Sequence, residues 1–376
     1  MRSDREFDLI LQGATGFTGR RAAMELSLRA PASLRWAVAG RSEERIRALG
    51  EEIGVPWIVA NNLKLDDVDG LASRARVVLT TAGPFSRYGT LLVDACVRHQ
   101  THYADLTGEL PWIDEVIARH HATCVEQGTT LIPCAGFDSA PTDLAVLELR
   151  KEVGGTVPIH GFVSMRGGVN GGTLHSGLAL GEQGALHPDA VPSEAGRPSV
   201  FAVPELGGWA APFLMAPVNE YVVRRTELLL RETADASGRY SEYLICRSRL
   251  QAHSMSGLLS LVNGMLASRL GRSVLRVFGP SPGKGPSERS IERGFARFQL
   301  MAGPLEAPIA RRDWRWSGDP SNLITVRCLV QVGLALAQDE ADRGGVLTPA
   351  SALGLPLLQQ LQSIGAVSES TTARAD

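Results

Sequence analysis

The feature that most restricts the fold of this chain is a glycine-rich turn at residues 13–19, directly after an apolar run at residues 7–11. The pattern predicts a buried strand, then the turn, then a helix that opens at Arg20. Glycine at every third position lets the backbone turn tightly and approach a pyrophosphate, which binds at the positive end of the helix. The predicted cofactor-binding residues of this turn are Gly13, Ala14, Thr15, Gly16, Phe17, Thr18 and Gly19.

The second predicted strand, residues 34–39, indicates which dinucleotide binds. Enzymes that use NAD usually place Asp or Glu about 20 residues past the glycine turn, where it bonds the ribose 2′-hydroxyl. Here that place holds Gly40, and Arg41 and Ser42 follow it. A guanidinium and a hydroxyl suit a 2′-phosphate, and the Gly-x-x-Gly-x-x-Gly spacing is a variant found in NADP-dependent reductases. We therefore predict NADP(H) bound by Arg41 and Ser42; the alternative is a solvated arginine at a strand end.

The composition argues against several other classes of function. A net charge of −2 gives no electrostatic basis for binding nucleic acid. The five cysteines are scattered and form no Cys-x-x-Cys pair, which predicts reduced thiols in a cytoplasmic protein and no metal site. The polar start of the chain predicts no signal peptide, and no apolar run approaches the roughly 18 residues of a membrane span.

The order of predicted elements indicates two domains. Strand-like and helix-like segments alternate up to about residue 150, which predicts an α/β fold with a Rossmann-type, doubly wound parallel sheet. Gly154 and Pro158 mark a boundary. Beyond it, residues 159–165 and 295–300 predict strands of a second α/β domain built on a mainly antiparallel sheet. The chain of 376 residues is long enough for both domains.

Three loops should meet where ligands bind, at the carboxyl edge of the predicted parallel sheet. The loop after the fourth strand would flank the nicotinamide ribose. Two of the predicted substrate contacts, Asp105 and Glu109, could equally bond backbone amides, and a third, His175, could equally lie at the surface. The predicted cofactor contacts in these loops are Ala82, Gly83, Pro84 and Phe85, and the predicted substrate contacts are Tyr88, Asp105, Glu109 and His175.

Reduction by a dihydronicotinamide requires a positioned hydride, which belongs to the cofactor, and a source of a proton. Tyr103 is the first candidate for the catalytic proton donor and Asp138 is the second. Water is an alternative donor, and Asp138 could act only as a helix N-cap. No Tyr is followed by Lys four residues later, which removes the catalytic pair of short-chain dehydrogenases.

An apolar stripe with helical spacing begins near Met255 and is followed by arginines. Such a stripe usually belongs to the core or to a dimer face. The alternatives are a lid over an apolar substrate and contact with a membrane surface. The chain therefore leaves open a homodimer and a membrane-surface contact. The stripe consists of Leu258, Leu259, Val262, Met265 and Leu266, with Arg269, Arg272 and Arg276 beyond it.

Taken together, these motifs resemble the saccharopine-dehydrogenase-like NADP-binding superfamily, and within it the trans-acting enoyl reductase branch. The resemblance runs in order over nearly the whole chain. One departure is that the family's Gly-Asp-Pro is usually followed by Gly-Tyr, whereas here Ser321 and Asn322 follow Pro320. The matching segments are residues 13–19, 39–41, 83–85, 88–89, 102–109, 136–143, 171–173, 209–215, 282–286 and 345–349.

The resemblance implies a Rossmann domain that binds NADP(H) and a second domain that shapes the substrate pocket. It also implies that the C-terminal segment returns to pack on the first domain. Members of this branch reduce a carbon–carbon double bond on a polyketide or fatty-acyl chain made by a separate synthase. The domains expected on this basis are an NADP-binding domain at 1–150, a substrate-binding domain at 151–318 and a returning segment at about 319–376.

Three functional hypotheses follow. The first is an NADPH-dependent oxidoreductase that reduces an activated, enoyl-type double bond of a lipid, polyketide or related biosynthetic intermediate, either free or bound to a carrier. The second is a saccharopine-like imine or amino-acid reductase, which needs cations for substrate carboxylates; Arg166, Arg224 and Arg225 are the candidates. The third is a protein that binds NADP without catalysis.

Overall fold

Two sheets of seven strands each organise the part of the chain that the computed structural model describes, which is residues 5–154, 157–168, 171–182, 198–230, 239–278 and 285–369. The strands, in chain order, are β1 (Phe7–Gln12), β2 (Trp36–Gly40), β3 (Trp57–Val59), β4 (Ala75–Thr80), β5 (His102–Ala104), β6 (Thr130–Ile132), β7 (Ile159–Arg166), β8 (Phe201–Val203), β9 (Gly208–Pro212), β10 (Tyr240–Cys246), β11 (Phe295–Ala302), β12 (Ala310–Ser317), β13 (Gly345–Val346) and β14 (Val367–Glu369).

Helices connect the strands and cover both sheets. Single turns of 3₁₀ and π helix lie at Pro204–Leu206 and Pro320–Ile324. The α-helices are α1 (Phe17–Arg29), α2 (Glu43–Ile53), α3 (Leu65–Arg74), α4 (Phe85–Tyr88), α5 (Thr90–Arg98), α6 (Leu110–Gln127), α7 (Ala140–Val153), α8 (Gly171–Glu182), α9 (Ala216–Leu230), α10 (Arg249–Ala267), α11 (Arg269–Phe278), α12 (Glu288–Glu292), α13 (Thr325–Ala337) and α14 (Pro349–Ser363).

The first sheet is parallel throughout and has the order β13-β6-β5-β4-β1-β2-β3. Its strands are apolar on both faces because helices cover both sides, and β1, β2 and β4 are almost entirely buried. The chain order reverses between β1 and β4, which is the switch point where ligands bind in such sheets. The predicted doubly wound parallel sheet is therefore confirmed.

The second sheet has the order β14-β12-β11-β7-β10-β9-β8. Only the β7–β10 pair is parallel among its described neighbours, and the other pairs are antiparallel. The prediction of a mainly antiparallel sheet is thus confirmed. Buried aromatic residues, including Phe298, Trp314 and Trp316, fill its inner face, where α7 and α14 join the two sheets in one core.

The C-terminal segment contributes to both sheets. Gly345 and Val346 of β13 pair with Thr130 and Leu131 of β6 and extend the first sheet at one edge. The last described strand, β14, pairs instead with β12 of the second sheet. The segment that follows the second domain therefore completes both layers rather than the first alone.

Helix α13 lies in the core, although its composition is unusually apolar. Among the described residues, one helical segment, Pro320–Ala337, is long and apolar enough to cross a membrane, and 83% of it is buried inside the protein. α13 packs on β1, β4 and β5. A Cβ atom at Gly333 would lie 2.4 Å from a Leu79 methyl carbon, which shows how closely the helix approaches the sheet.

One predicted boundary is wrong for a local reason: the first helix begins at Phe17 and not at Arg20, because Gly16 already serves as its N-cap. The predicted stripe lies within α10, which begins at Arg249 because the Ser248 hydroxyl caps it by accepting the Gln251 amide at 3.2 Å. Residues 282–284 of the predicted loop and residues 169–170 before α8 lie outside the described parts of the chain.

Candidate functional site

The glycine turn lies at the switch point, between the ends of β1 and β4. Gly13 has a φ of +82°, which favours glycine, and its amide donates to the Ala39 carbonyl at 2.9 Å. A Cβ atom at Gly19 would lie 2.1 Å from the Gly13 oxygen and 2.7 Å from Thr81 Oγ1. Gly19 thus lets α1 pack directly on the turn and on the end of β4.

Gly16 differs from the other two glycines because its surroundings are open. It is exposed, and the nearest atom to a Cβ there would be the Gly13 oxygen at 3.3 Å. Gly16 is also the N-cap of α1, with no side chain capping the helix. The N-terminus of α1 therefore has no side-chain cap from its N-cap residue, and the open surroundings of Gly16 fit a pyrophosphate.

The end of β2 carries the groups predicted to select the dinucleotide. Arg41 is exposed and Ser42 half-buried. A Cβ at Gly40 would lie 3.4 Å from the Thr15 side chain, so Thr15 occupies the space beside the position where NAD enzymes carry an acid. The guanidinium of Arg45 donates to the Thr15 carbonyl at 2.6 Å. Arg45 was not singled out from the sequence as a residue that supports the glycine turn, although its place in the first turn of α2, close to Arg41, could have indicated it.

The loop after β4, which contains Ala82, Gly83, Pro84 and Phe85, is held by Glu109. The Glu109 carboxylate is 1% exposed and accepts the backbone amides of Phe85 at 2.8 Å and Ser86 at 3.0 Å. These amides open α4, so the carboxylate caps that short helix. In this arrangement Glu109 fixes the loop that is expected to flank the nicotinamide; its predicted contact with substrate stays a prediction.

Tyr88 ends the same short helix and is half-buried. The Arg87 guanidinium lies 5.3 Å from the centre of its ring. The Tyr88 carbonyl accepts the Asn62 side-chain amide at 3.0 Å, and Asn62 also bonds the side chain of Gln12 at the end of β1. Asn62 therefore ties the loop to the glycine turn. It was not found from the sequence, because a lone Asn in a polar loop carries no pattern.

Tyr103 and Asp105 form a closed pair on β5 and just after it. The Tyr103 hydroxyl donates to Asp105 Oδ2 at 2.7 Å, and the ring is 1% exposed. Burial, together with the neighbouring Asp105 carboxylate, raises the pKa of Tyr103 well above its usual value. Asp105 also accepts the amides of Thr107 at 2.9 Å and Cys134 at 3.3 Å, while burial raises its pKa to about 7.

Asp138 lies in the loop after β6, one residue before the N-cap of α7. Its carboxyl is half-buried and has no hydrogen-bond partner among the described residues. Burial raises its pKa to about 6. The N-cap position itself belongs to Ser139, and no side chain caps α7. Asp138 is close enough to Cys134 that its charge, after burial and Asp105, raises the pKa of that thiol.

The second domain reaches the site through α8. His175 is half-buried on this helix, and Ser176 beside it donates to Glu109 Oε1 at 3.3 Å. A Cβ at Gly83 would lie 3.7 Å from the Ser176 hydroxyl. α8 thus covers the loop after β4. Sequence reasoning placed His175 near the pocket and missed Ser176, since a serine next to a glycine-rich segment gives no specific signal.

The second domain also contacts the segment that leads into α13 and, separately, the glycine turn. Asp319 is buried and accepts the Gly168 amide at 2.6 Å, and the Asn322 side chain donates to both Asp319 Oδ1 and the Gly168 carbonyl. Asn322 therefore has a structural role at the position where the chain departs from its family. A Cβ at Gly285 would lie 2.3 Å from the ring of Phe17, so this segment rests on the glycine turn.

The doubly wound parallel sheet joined to a mainly antiparallel one is a fold of the saccharopine dehydrogenase type. Residues 9–132 match the family described as the saccharopine dehydrogenase NADP binding domain. Saccharopine dehydrogenase (L-Glu forming) from Saccharomyces cerevisiae has the same fold, with a TM-score of 0.59 over 97% of this chain and 99% of that one at 13% identity. Homospermidine synthase from Legionella pneumophila also has this fold, with a TM-score of 0.56 over 98% of this chain and 92% of that one at 10% identity.

Relatives of known name narrow the family further. A Mycobacterium tuberculosis protein provisionally named as a trans-acting enoyl reductase is 36% identical over 99% of both chains. The trans-acting enoyl reductase of Mycobacterium bovis is 33% identical over 98% of this chain and 99% of its own. That of Mycobacterium leprae is 33% identical over 96% of this chain and 97% of its own. The chain belongs to the trans-acting enoyl reductase family, and its dinucleotide is NADP(H).

Proposed function

We propose that this protein reduces the carbon–carbon double bond of an enoyl substrate with NADPH. The observation that carries the proposal is the full-length similarity to proteins named for this activity. When bound, NADPH supplies the hydride for the β-carbon of the double bond. The turn at residues 13–19, the pair Arg41 and Ser42, and the loop at residues 82–85 are the proposed cofactor contacts.

The product also requires a proton at the α-carbon, and we assign it to Asp138. Two observations support this choice over Tyr103. The Asp138 carboxyl is half-buried without a partner and has a pKa raised to about 6, which suits a general acid near neutral pH. The Tyr103 hydroxyl is closed from solvent and donates a hydrogen bond to Asp105 Oδ2. Tyr103 then acts through Asp105, which orients the backbone of the loops after β5 and β6.

The substrate class is an acyl group, free or attached to a carrier. The loop after β5 meets apolar residues of the second domain: a Cβ at Gly108 would lie 3.8 Å from Val218 and 4.0 Å from Met215. Leu106 and Met215 both pack against the same buried cluster, which contains Val218. These contacts support an apolar acyl chain, with Tyr88 and His175 as proposed contacts.

The predicted cytoplasmic location is supported by five buried thiols that form no disulfide.

The imine or amino-acid alternative has weaker support. It requires arginines at the site for substrate carboxylates, but Arg225 donates to the Val346 carbonyl at β13, where it lies 3.4 Å from His121. Arg166 and Arg224 are exposed at the end of β7 and on α9. The described site residues are mainly apolar or acidic, which suits an uncharged acyl group better.

The test is turnover of enoyl thioesters by wild type, Asp138→Asn and Tyr103→Phe, followed by NADPH absorbance and by mass spectrometry of the saturated product. Asp138→Asn should lower kcat by about 10²–10⁴-fold with NADPH affinity unchanged. Tyr103→Phe, the matched control, should retain near wild-type turnover. Because the protonated acid is the donor, wild-type kcat should fall as pH rises above about 6, and Asp138→Asn should lack this limb.

The results that contradict the proposal are distinct. Loss of turnover in Tyr103→Phe with a normal Asp138→Asn would reverse the donor assignment and leave the reaction intact. Oxidation of NADPH with a 2-oxo acid and an amine, but with no enoyl thioester, would replace the reaction by imine reduction. Binding of NADPH with no hydride transfer to either acceptor would leave a non-catalytic NADP-binding protein.

A further inference from the structure

The helical pair α10–α11 of the second domain exposes large apolar side chains. The most exposed on α11 are Leu270 at 78% and Val277 at 75%. On α10 the leucines at 250, 258 and 261 are also more than half exposed. The stripe at residues 258–266 is therefore only partly core, since Leu266 alone among its predicted members is fully buried. Large apolar residues gathered on one exposed element mark an interaction surface.

The charges on this pair have a single sign. Residues 249–278 contain four arginines, Arg249, Arg269, Arg272 and Arg276, and no Asp or Glu. Arg272 is used within the fold, because it donates to the Leu266 and Ala267 carbonyls at 2.8 Å. Arg276 is also used within the fold, because it pairs with Glu182 at the end of α8. Arg269 is exposed and makes no side-chain contact in the described part of the chain.

α11 combines both features with helical spacing. Leu270, Val274 and Val277 recur at i, i+4 and i+7, which places them on one face. Arg269 lies one position before the first of them, on the border of that face, whereas Arg276, one position before the last, is paired with Glu182. A short helix with an apolar face bordered by an exposed arginine has the chemistry of an interfacial helix, whose apolar residues enter the headgroup region while the guanidinium meets a lipid phosphate.

A single helix connects this surface to the candidate site. α8 packs on α10, because a Cβ at Gly177 would lie 3.7 Å from Leu266 and one at Gly181 would lie 2.3 Å from the Leu266 carbonyl. The same helix carries Ser176, which donates to Glu109 and so reaches the loop after β4. The exposed pair therefore adjoins the element that covers the proposed active site.

We propose that α10–α11 docks this protein on an anionic phospholipid surface. Arg269, which has no acidic partner in the described part of the chain, is attracted to anionic headgroups, and the exposed leucines and valines gain by entering the lipid boundary. A symmetric dimer through the same pair is disfavoured, since it would gather the arginines of both copies in an interface to which residues 249–278 bring no Asp or Glu. Docking itself does not depend on the reaction. The further idea, that docking presents the site to acyl chains held in the membrane, rests on the proposed function.

The test is co-sedimentation of the full chain with vesicles of phosphatidylcholine, alone or with phosphatidylglycerol. We expect binding to the anionic vesicles only, weakened by salt. Leu270→Ser/Val277→Ser should lower the partition coefficient by about 10-fold or more, and Arg269→Gln by roughly fivefold. The matched control is Leu28→Ser/Ile309→Ser, which removes equally exposed apolar residues (71% and 64%) elsewhere and should bind as wild type does.

Each variant should retain NADPH affinity and turnover of a short soluble enoyl thioester, which separates docking from the reaction. Equal binding to neutral and anionic vesicles, no binding, or equal loss in the control variant would overturn the proposal. A wild-type dimer that Leu270→Ser/Val277→Ser converts to monomer, seen by sedimentation velocity without lipid, would assign the pair to a dimer face instead.

Discussion

Two glycines of the same turn should respond in opposite ways to the same added methyl group. At Gly16 the backbone has φ −74° and ψ 169°, which any residue adopts, and the nearest atom to a new Cβ is 3.3 Å away. At Gly19 the new Cβ would lie 2.1 Å from the backbone oxygen of Gly13. The first substitution therefore fills only the space proposed for the pyrophosphate, whereas the second forces α1 away from the sheet.

The expected magnitudes follow from these distances. Gly16→Ala should lower the free energy of unfolding by less than about 1 kcal/mol, the usual cost of alanine at an N-cap. It should weaken NADPH and NADH alike by roughly 10- to 100-fold for each pyrophosphate hydrogen bond lost, since a bond to a charged group contributes about 1.5–3 kcal/mol. Gly19→Ala should cost about 1–3 kcal/mol or more, because the contact is with backbone.

Two assays separate these outcomes. Urea unfolding followed by circular dichroism measures the fold without cofactor, and fluorescence titration measures the affinities for NADPH and NADH. Wild-type affinity in Gly16→Ala, with the fold intact, would refute the placement of the phosphates on α1. An unfolding curve of Gly19→Ala that matches wild type would show that the turn relaxes freely, against the close packing described above.

Two further predictions concern cofactor choice and pH. Arg41→Ala should lower the affinity for NADPH by about 10- to 100-fold and leave the affinity for NADH nearly unchanged in fluorescence titration. An equal loss for both cofactors would mean that Arg41 does not contact the 2′-phosphate. Arg45→Ala, which frees the Thr15 carbonyl, should instead lower the affinity for both cofactors. Glu242 of β10 is buried against α7 and α9, where it accepts hydrogen bonds from Thr142 and Asn219, and burial raises its pKa to about 7. The stability that depends on protonated Glu242 is fully present below the pKa of an unfolded Glu and is lost as pH rises through 7. Glu242→Gln should therefore shrink the difference in free energy of unfolding between pH 5 and pH 8 by about 3 kcal/mol in urea unfolding. An unchanged difference would contradict this.

The parts of the fold that the sequence predicts are those with local signals. The glycine turn, the alternation up to about residue 150 and the parallel sheet all depend on periodicity and on a few glycines, and all are found. The missing parts depend on distant residues. β13 has two residues and forms only because Gly345 and Val346 meet β6. α4, with four residues, exists because Glu109 caps it from the next loop.

The same distinction applies to the site. Arg41 and Gly16 could be predicted as cofactor contacts because a bound dinucleotide constrains their positions along the chain, and both stay predictions. Tyr103 was the first candidate for the proton donor, since a tyrosine at a strand end is a common acid. Its burial to 1% and its bond to Asp105 depend on α5, α6 and the neighbouring strands, which a linear pattern does not report.

The late position of β13 has a consequence for the newborn chain. Its partner β6 ends at Ile132, so roughly 200 residues separate the two strands, and synthesis at about 5–20 residues per second takes some 10–40 s to cover them. During that interval the first sheet leaves the ribosome without α13 on its inner face, and Leu79 has no Gly333 to pack against. Chaperones that hold exposed apolar surface have a defined window in which to act on this protein. An mRNA truncated before the codon for residue 325 would give a chain that lacks α13 and therefore keeps this apolar surface of the first sheet exposed.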